Sequence, residues 1–118
     1  MAELEKVAWN VSKINGPLQI NGPLQYVFSR QVEALANTKD VVIGISTGGT
    51  SSNVVSGLNT AKNLGCKTIG FSGRNGGSFN DLCDINLVVP AEDTPRIQEM
   101  HIVIGHTICH LIDLEFSR

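Results

Sequence analysis

The sequence predicts an α/β fold: an αβα sandwich around a short parallel sheet of about three strands, closed by a long C-terminal helix. Three observations carry that prediction. Three apolar runs rich in β-branched residues, VVIGIS (Val41–Ser46), KTIGFS (Lys67–Ser72) and DINLVV (Asp84–Val89), have the length and composition of strands covered on both faces. A helical pattern separates the first two, as parallel strands with helical crossovers require. The segment after Thr94 keeps one helical apolar stripe to the C-terminus. A sheet of three strands leaves two edges that need cover from another element or another subunit.

The elements follow in order. Between Ala2 and Lys13, Leu4, Val7, Ala8 and Val11 fall at i, i+3, i+4 and i+7, the spacing of an amphipathic helix. INGPLQ is then written twice, from Ile14 to Gln25. Asn-Gly favours a turn and Pro excludes a helix interior. Hexapeptide solenoids need about three or more repeats to bury a core. The doubled hexapeptide therefore reads as a joint, and the chain divides into an N-terminal helix with this joint (residues 1–25) and a partial α/β domain (residues 26–118). Tyr26–Asn37 reads as a helix with Val27, Phe28, Val32 and Leu35 on one side, and Ser51–Leu64 as another, with Gly65 placed for a C-cap. The loop GRNGG follows the second strand as a tight turn. In the last helix Thr94 suits the N-cap and Pro95 the first helical position. Ile97, Met100, Ile104, Ile108, Leu111 and Ile112 form its stripe.

Composition excludes several classes. The 118 residues make one domain, 42% hydrophobic and 17% charged, which is a folded rather than a disordered composition. A net charge of −2 without a basic cluster gives no nucleic-acid footprint. No stretch approaches the ~20 apolar residues of a membrane span. MAELEK is acidic and lacks the apolar core of a secretion signal. Cys66, Cys83 and Cys109 form no CxxC pair and read as free thiols of a reducing cytoplasm.

The stretch that carries chemistry is STGGTSSN, Ser46–Asn53, running from the carboxyl end of a strand into a helix. Ligands of open α/β sheets bind at that end. Glycines let backbone N–H groups approach a ligand, and a helix N-terminus favours an anion. Five hydroxyls, on Ser46, Thr47, Thr50, Ser51 and Ser52, add donors for phosphate oxygens. No lysine follows as in GxxxxGK[ST], so a nucleotide P-loop fits poorly and a monophosphate fits better. The bland reading is a polar turn with Ser or Thr capping the helix.

VVIGISTGGTSSNVV, TIGFSGRNGG and RIQEMHIVIGH, in that order and preceded by YVFSRQVEAL, resemble the sugar isomerase (SIS) domain of the bacterial phosphoheptose isomerases. The resemblance covers about residues 26–116. It implies the SIS-type, flavodoxin-like arrangement. It also implies interconversion of sedoheptulose 7-phosphate and D-glycero-D-manno-heptose 7-phosphate by enediol-type proton transfer, on the way to lipopolysaccharide. The expected partners are a phosphorylated seven-carbon sugar and further copies of the chain, in a tetramer. By the same resemblance Ser46, Thr47 and Ser51 match positions that hold the sugar phosphate. Gly48 stands where the family usually has Ser and keeps only its backbone N–H, and Thr50 stands where Asn or Lys is usual. His106 corresponds to the family's active-site histidine, and imidazole suits proton transfer near neutral pH. Gln98 corresponds to a glutamine near the sugar that in some members helps hold zinc. No cofactor is required, and the implied zinc ligands are Gln98 and His106. Eight residues along one helix separate them by ~12 Å, which fits sites shared between subunits.

Other histidines read differently. His101 lies close to the apolar stripe and reads as a satisfied interior or interface residue. His106 and His110 are spaced i, i+4, but Thr107 stands where HExxH needs Glu, which removes the metalloprotease reading. The family carries an earlier half with a GNGGS-type loop and a helix bearing a catalytic Glu, and nothing between Met1 and Gln25 resembles either. Glu3, Glu5 and Glu33 are present without a motif that makes one of them the base. The competing reading is a noncatalytic SIS-domain module that binds a phosphosugar or a partner protein, of the kind associated with the replication initiator.

Overall fold

The computed structural model describes residues 23–117. The amphipathic pattern Ala2–Lys13 and the first copy of INGPLQ lie outside them. Part of the second copy does not: Pro23–Tyr26 forms a 3₁₀ turn that leads into α1 (Val27–Leu35). Then come β1 (Val41–Ile45), α2 (Ser52–Asn63), β2 (Lys67–Gly73), α3 (Phe79–Leu82), β3 (Ile85–Val89) and α4 (Thr94–Phe116). The strands are parallel in the order β1-β2-β3, with Val41 beside Lys67 and Ile69 beside Ile85. Among the described residues β1 and β3 each pair on one side only.

Strand alternation sorts the two layers. Val42 and Gly44 of β1, in register with Thr68 and Gly70 of β2, face α1, α2 and α3. There Phe28, Val32, Val42, Val54, Leu58, Ala61, Cys66 and Phe79 close into one buried cluster. Gly44 admits Leu58 and Val54, and Gly70 admits Phe79. On the other face Phe71 and Gly73 meet α4, where Ile97 is fully buried against Gly73. The result is the expected three-layer sandwich, with α4 the one helix on its side among the described residues.

Local chemistry explains the boundaries. α2 ends as the sequence predicts: Gly65 has φ +86°, its N–H bonds the Lys62 carbonyl, and the Cys66 N–H bonds that of Ala61, a Schellman motif. α1 is shorter than the periodicity implied. Asn37 and Asp40 exchange hydrogen bonds in a turn that takes over after Leu35, so Leu35 ends up 68% exposed rather than packed. α4 begins one residue earlier than expected, with Asp93 at the N-cap, because the Thr94 hydroxyl accepts a bond from Arg74 Nη2 at 2.9 Å instead of capping. The α4 stripe is the larger correction. Of Ile97, Met100, Ile104, Ile108, Leu111 and Ile112 only Ile97 is buried, and Met100 and Leu111 are exposed. A helix of 23 residues runs ~35 Å, well past strands of five to seven residues, so its C-terminal part leaves the sheet.

Asp84, just before β3, accepts hydrogen bonds from the Thr68 backbone N–H at 2.8 Å and the Thr68 hydroxyl at 3.3 Å, while its own N–H donates to that hydroxyl. The Thr68 amide above all holds the Asp84 carboxyl below its ordinary pKa, opposed by partial desolvation. A depressed folded pKa contributes stability above the unfolded value of about 3.9 that is lost as pH falls through the folded value. Asp84→Asn is therefore expected to lower the thermal midpoint at pH 7. The gap from the unmutated protein should narrow as the medium is acidified below about pH 4, measured by circular dichroism melts across pH.

Candidate functional site

The loop Ser46–Ser51 lies at the carboxyl end of β1 and opens into α2, as the motif required. Its donors divide into two groups. Ser46 is buried, and its hydroxyl is shared with that of Ser51 at 3.0 Å and approached by the Ser51 N–H at 3.3 Å. Ser51 occupies the N-cap but makes no side-chain cap, because its hydroxyl turns to Ser46. Ser46 thus braces the loop from below. Thr47, Gly48 and Ser51 are half-buried, while Thr50 and Ser52 are exposed. The backbone N–H groups of Thr47, Gly48, Thr50, Ser52 and Asn53 have no acceptor among the described residues. Unpaired donors at a helix N-terminus are what a phosphate uses. The capping half of the bland reading does not hold, since no side chain caps α2, and a polar turn remains.

A second loop presses against the first. Arg74–Ser78 leaves β2, with Arg74, Gly76 and Gly77 all at positive φ. A Cβ at Gly49 (φ +67°) would run into the Gly76 carbonyl, and one at Gly77 into the Gly48 carbonyl, so the backbones touch without side chains between them. Amide side chains fix this second loop. Ser72 Oγ donates to Asn86 Oδ1 at 2.8 Å, Asn86 Nδ2 donates to Asn80 Oδ1 at 2.9 Å, and Asn80 Nδ2 donates to the Asn75 carbonyl at 2.7 Å. Sequence reasoning passed over Asn86, Asn80 and Arg74. Asn86 gave a signal, an amide in an otherwise apolar strand. Arg74 gave none, because nothing in GRNGG says which way its side chain turns.

His101 is 4% exposed, and its Nε2 lies 2.7 Å from the Ser72 carbonyl, tying α4 to the end of β2. It is the interior histidine expected, but only half satisfied: Nδ1 is buried without a partner among the described residues. Nε2 must carry a proton to bond a carbonyl, and the ring sits 5.9 Å, centroid to centroid, from that of Phe71.

Gln98 and His106 are both exposed on α4, and no hydrogen bond joins either to the loop among the described residues. Two ligands of one zinc, each at about 2.0–2.2 Å, stand within about 4 Å of each other. The ~12 Å between these positions along one helix does not fit a zinc ion held by a single chain. Among the described residues no three His, Cys, Asp or Glu side chains cluster for a metal. Cys66 and Cys83 stand apart from this region, with the core cluster on the other face of the sheet. Burial first, and Asp84 second, push Cys83 up to about 11, and burial, with Asp40, raises Cys66, whose Sγ donates to the Asn37 carbonyl. Both stay protonated at neutral pH.

The three-layer α/β sandwich and the loop at its strand ends go with a family match: the chain belongs to the SIS domain family, whose model matches residues 5–111. That match starts upstream of Tyr26 and takes in the INGPLQ repeat. Among curated relatives, phosphoheptose isomerase of Aliarcobacter butzleri is 66% identical over 91 residues, 77% of this chain and 48% of the relative. Phosphoheptose isomerase 1 of Campylobacter jejuni is 61% identical over 92 residues, 78% of this chain and 50% of the relative. Among solved structures, a phosphoheptose isomerase from Francisella tularensis superposes with TM-score 0.73 at 36% identity, covering 76% of this chain and 50% of that one. One from Neisseria gonorrhoeae gives 0.73 at 35%, covering 89% and 57%. The chain spans about half the length of the curated relatives it matches.

Proposed function

We propose that this chain is a phosphoheptose isomerase, acting on sedoheptulose 7-phosphate to give D-glycero-D-manno-heptose 7-phosphate in the cytoplasmic supply of heptose for lipopolysaccharide. The observation that carries the reading is the loop at Ser46–Ser51, with unpaired backbone donors on a helix N-terminus, in a chain so similar to relatives of that name. In this reading the loop holds the phosphate, with Thr47, Gly48 and Ser51 as donors and Ser46 as their brace. Gln98 touches the sugar. A base removes a proton from carbon 1 of the ketose, the resulting enediol is protonated at carbon 2, and His106 moves the proton between the two oxygens.

Glu33 is exposed on α1, across the sheet from α4, and does not serve as base for a group on α4 of the same chain. The exposed position of His106 and the apolar surface around it, with Met100, Ile102, Val103, Leu111, Leu114 and Phe116 all open, fit an active site completed where α4 meets another copy, in a tetramer. Among the described residues no helix is long and apolar enough to cross a membrane.

Incubation of the full chain with sedoheptulose 7-phosphate, followed by NMR, tests the reading. Appearance of aldose signals supports it, and an unchanged ketose spectrum at high enzyme concentration rejects it.

A further inference from the structure

Gly48 is half-buried in the phosphate loop, and the space beside it is not empty. A Cβ placed on Gly48 would stand 3.1 Å from Nη1 of Arg74 and 3.4 Å from the Thr50 hydroxyl. The Arg74 side chain crosses from the second loop and ends over the first. Resting on the reading of Ser46–Ser51 as a phosphate loop, we propose that Arg74 is a phosphate-binding residue, its guanidinium supplying from the second loop the side-chain donor that Gly48 lacks.

The remaining contacts of Arg74 aim it and leave it available. Nη2 donates to the Thr94 hydroxyl at 2.9 Å, and the backbone N–H donates to the Ala91 carbonyl at 3.0 Å. Nε lies 3.8 Å from Glu92, whose side chain is 87% exposed, so that pair is weak and solvent-screened. Nη1, the nitrogen over Gly48, has no acceptor among the described residues. The side chain is 38% exposed, half withdrawn from water but open on one side.

Charge gives the inference its force. A guanidinium carrying a full positive charge stands beside a loop whose unpaired N–H groups and helix N-terminus are also positive. Neither neutralises the other, and an anion between them satisfies both. The planar fork of Arg suits phosphoryl oxygens, and charge-assisted bonds of this kind are the strong ones. Arg74 also holds φ +54°, a backbone region rare for a large side chain, where Gly or Asn would be the easier choice.

The test is an amide NMR titration of the full chain with inorganic phosphate, made on the unmutated protein, Arg74→Ala, Arg74→Lys and Ser51→Ala, with a thermal midpoint for each. The proposal expects Arg74→Ala to weaken phosphate about tenfold or more without moving the midpoint, and Arg74→Lys to recover part of the loss. If Ser51→Ala weakens phosphate while Arg74→Ala leaves affinity within about twofold, the loop stands and the role of Arg74 is overturned. A lowered midpoint with unchanged affinity in Arg74→Ala makes it a clasp on Thr94 and likewise overturns the proposal. Absence of phosphate shifts at Ser46–Asn53 in the unmutated protein overturns both it and the loop beneath it.

Discussion

Replacing His106 with alanine is expected to lower turnover of sedoheptulose 7-phosphate by about 10²–10⁴-fold, the usual loss for a positioned acid–base group. The same substitution should leave folding and phosphate binding alone. His106 is exposed, and no described hydrogen bond or ion pair uses it, so truncation costs at most about 0.5 kcal/mol. The contrast with His101 sharpens the expectation. His101 is buried and bonded to the Ser72 carbonyl, five positions earlier on the same helix, and its loss removes a tie between α4 and β2. A fall in kcat with an unchanged melting midpoint separates chemistry from scaffolding. Mixing His106→Ala with Ser51→Ala then asks whether the site is shared. Two variants, each impaired alone, should regain part of the activity when they assemble together, because some interfaces then pair an intact loop with an intact histidine.

Gly49→Ala is expected to be among the costliest single changes near the loop. Gly49 has φ +67°, and a left-handed conformation costs an L-residue roughly 1–2 kcal/mol. The added methyl would also meet the Gly76 carbonyl, a backbone atom that cannot swing aside. Together these should remove about 2–4 kcal/mol of stability, or on the order of 10–20 °C in thermal midpoint for a domain of this size. Gly48→Ala is the control. Its Cβ would meet only the far end of the Arg74 side chain and a hydroxyl, at 3.1 and 3.4 Å, and should cost about 1 kcal/mol or less. Phosphate affinity should fall in both variants, in the first through displacement of two loops and in the second through crowding of Arg74.

The three strands and α2 were legible because burial on both faces leaves continuous apolar runs, and because Gly65 marks a helix end by a requirement only glycine meets cheaply. The place of the Ser46–Ser51 loop was legible for the same kind of reason: glycines and hydroxyls follow a strand and open a helix. How the hydroxyls divide was not. Ser46 and Ser51 look alike in sequence, and only the fold turns one beneath the loop and bonds it to the other. The α4 stripe misled because periodicity reports that a face is apolar, not what covers it. Ile97 meets β2, whereas Leu111 passes beyond the sheet. Arg74 was invisible, since its role depends on a side chain crossing between loops far apart in sequence.

The most direct test of the account is a comparison of amide shifts on adding sedoheptulose 7-phosphate and on adding unphosphorylated sedoheptulose. The account predicts that the phosphorylated sugar shifts Gly48, Ser52 and Asn53, whose N–H groups have no acceptor among the described residues, and that the unphosphorylated sugar leaves them in place. Equal shifts from both sugars, or none from either, would contradict the claim that this loop binds a sugar through its phosphate.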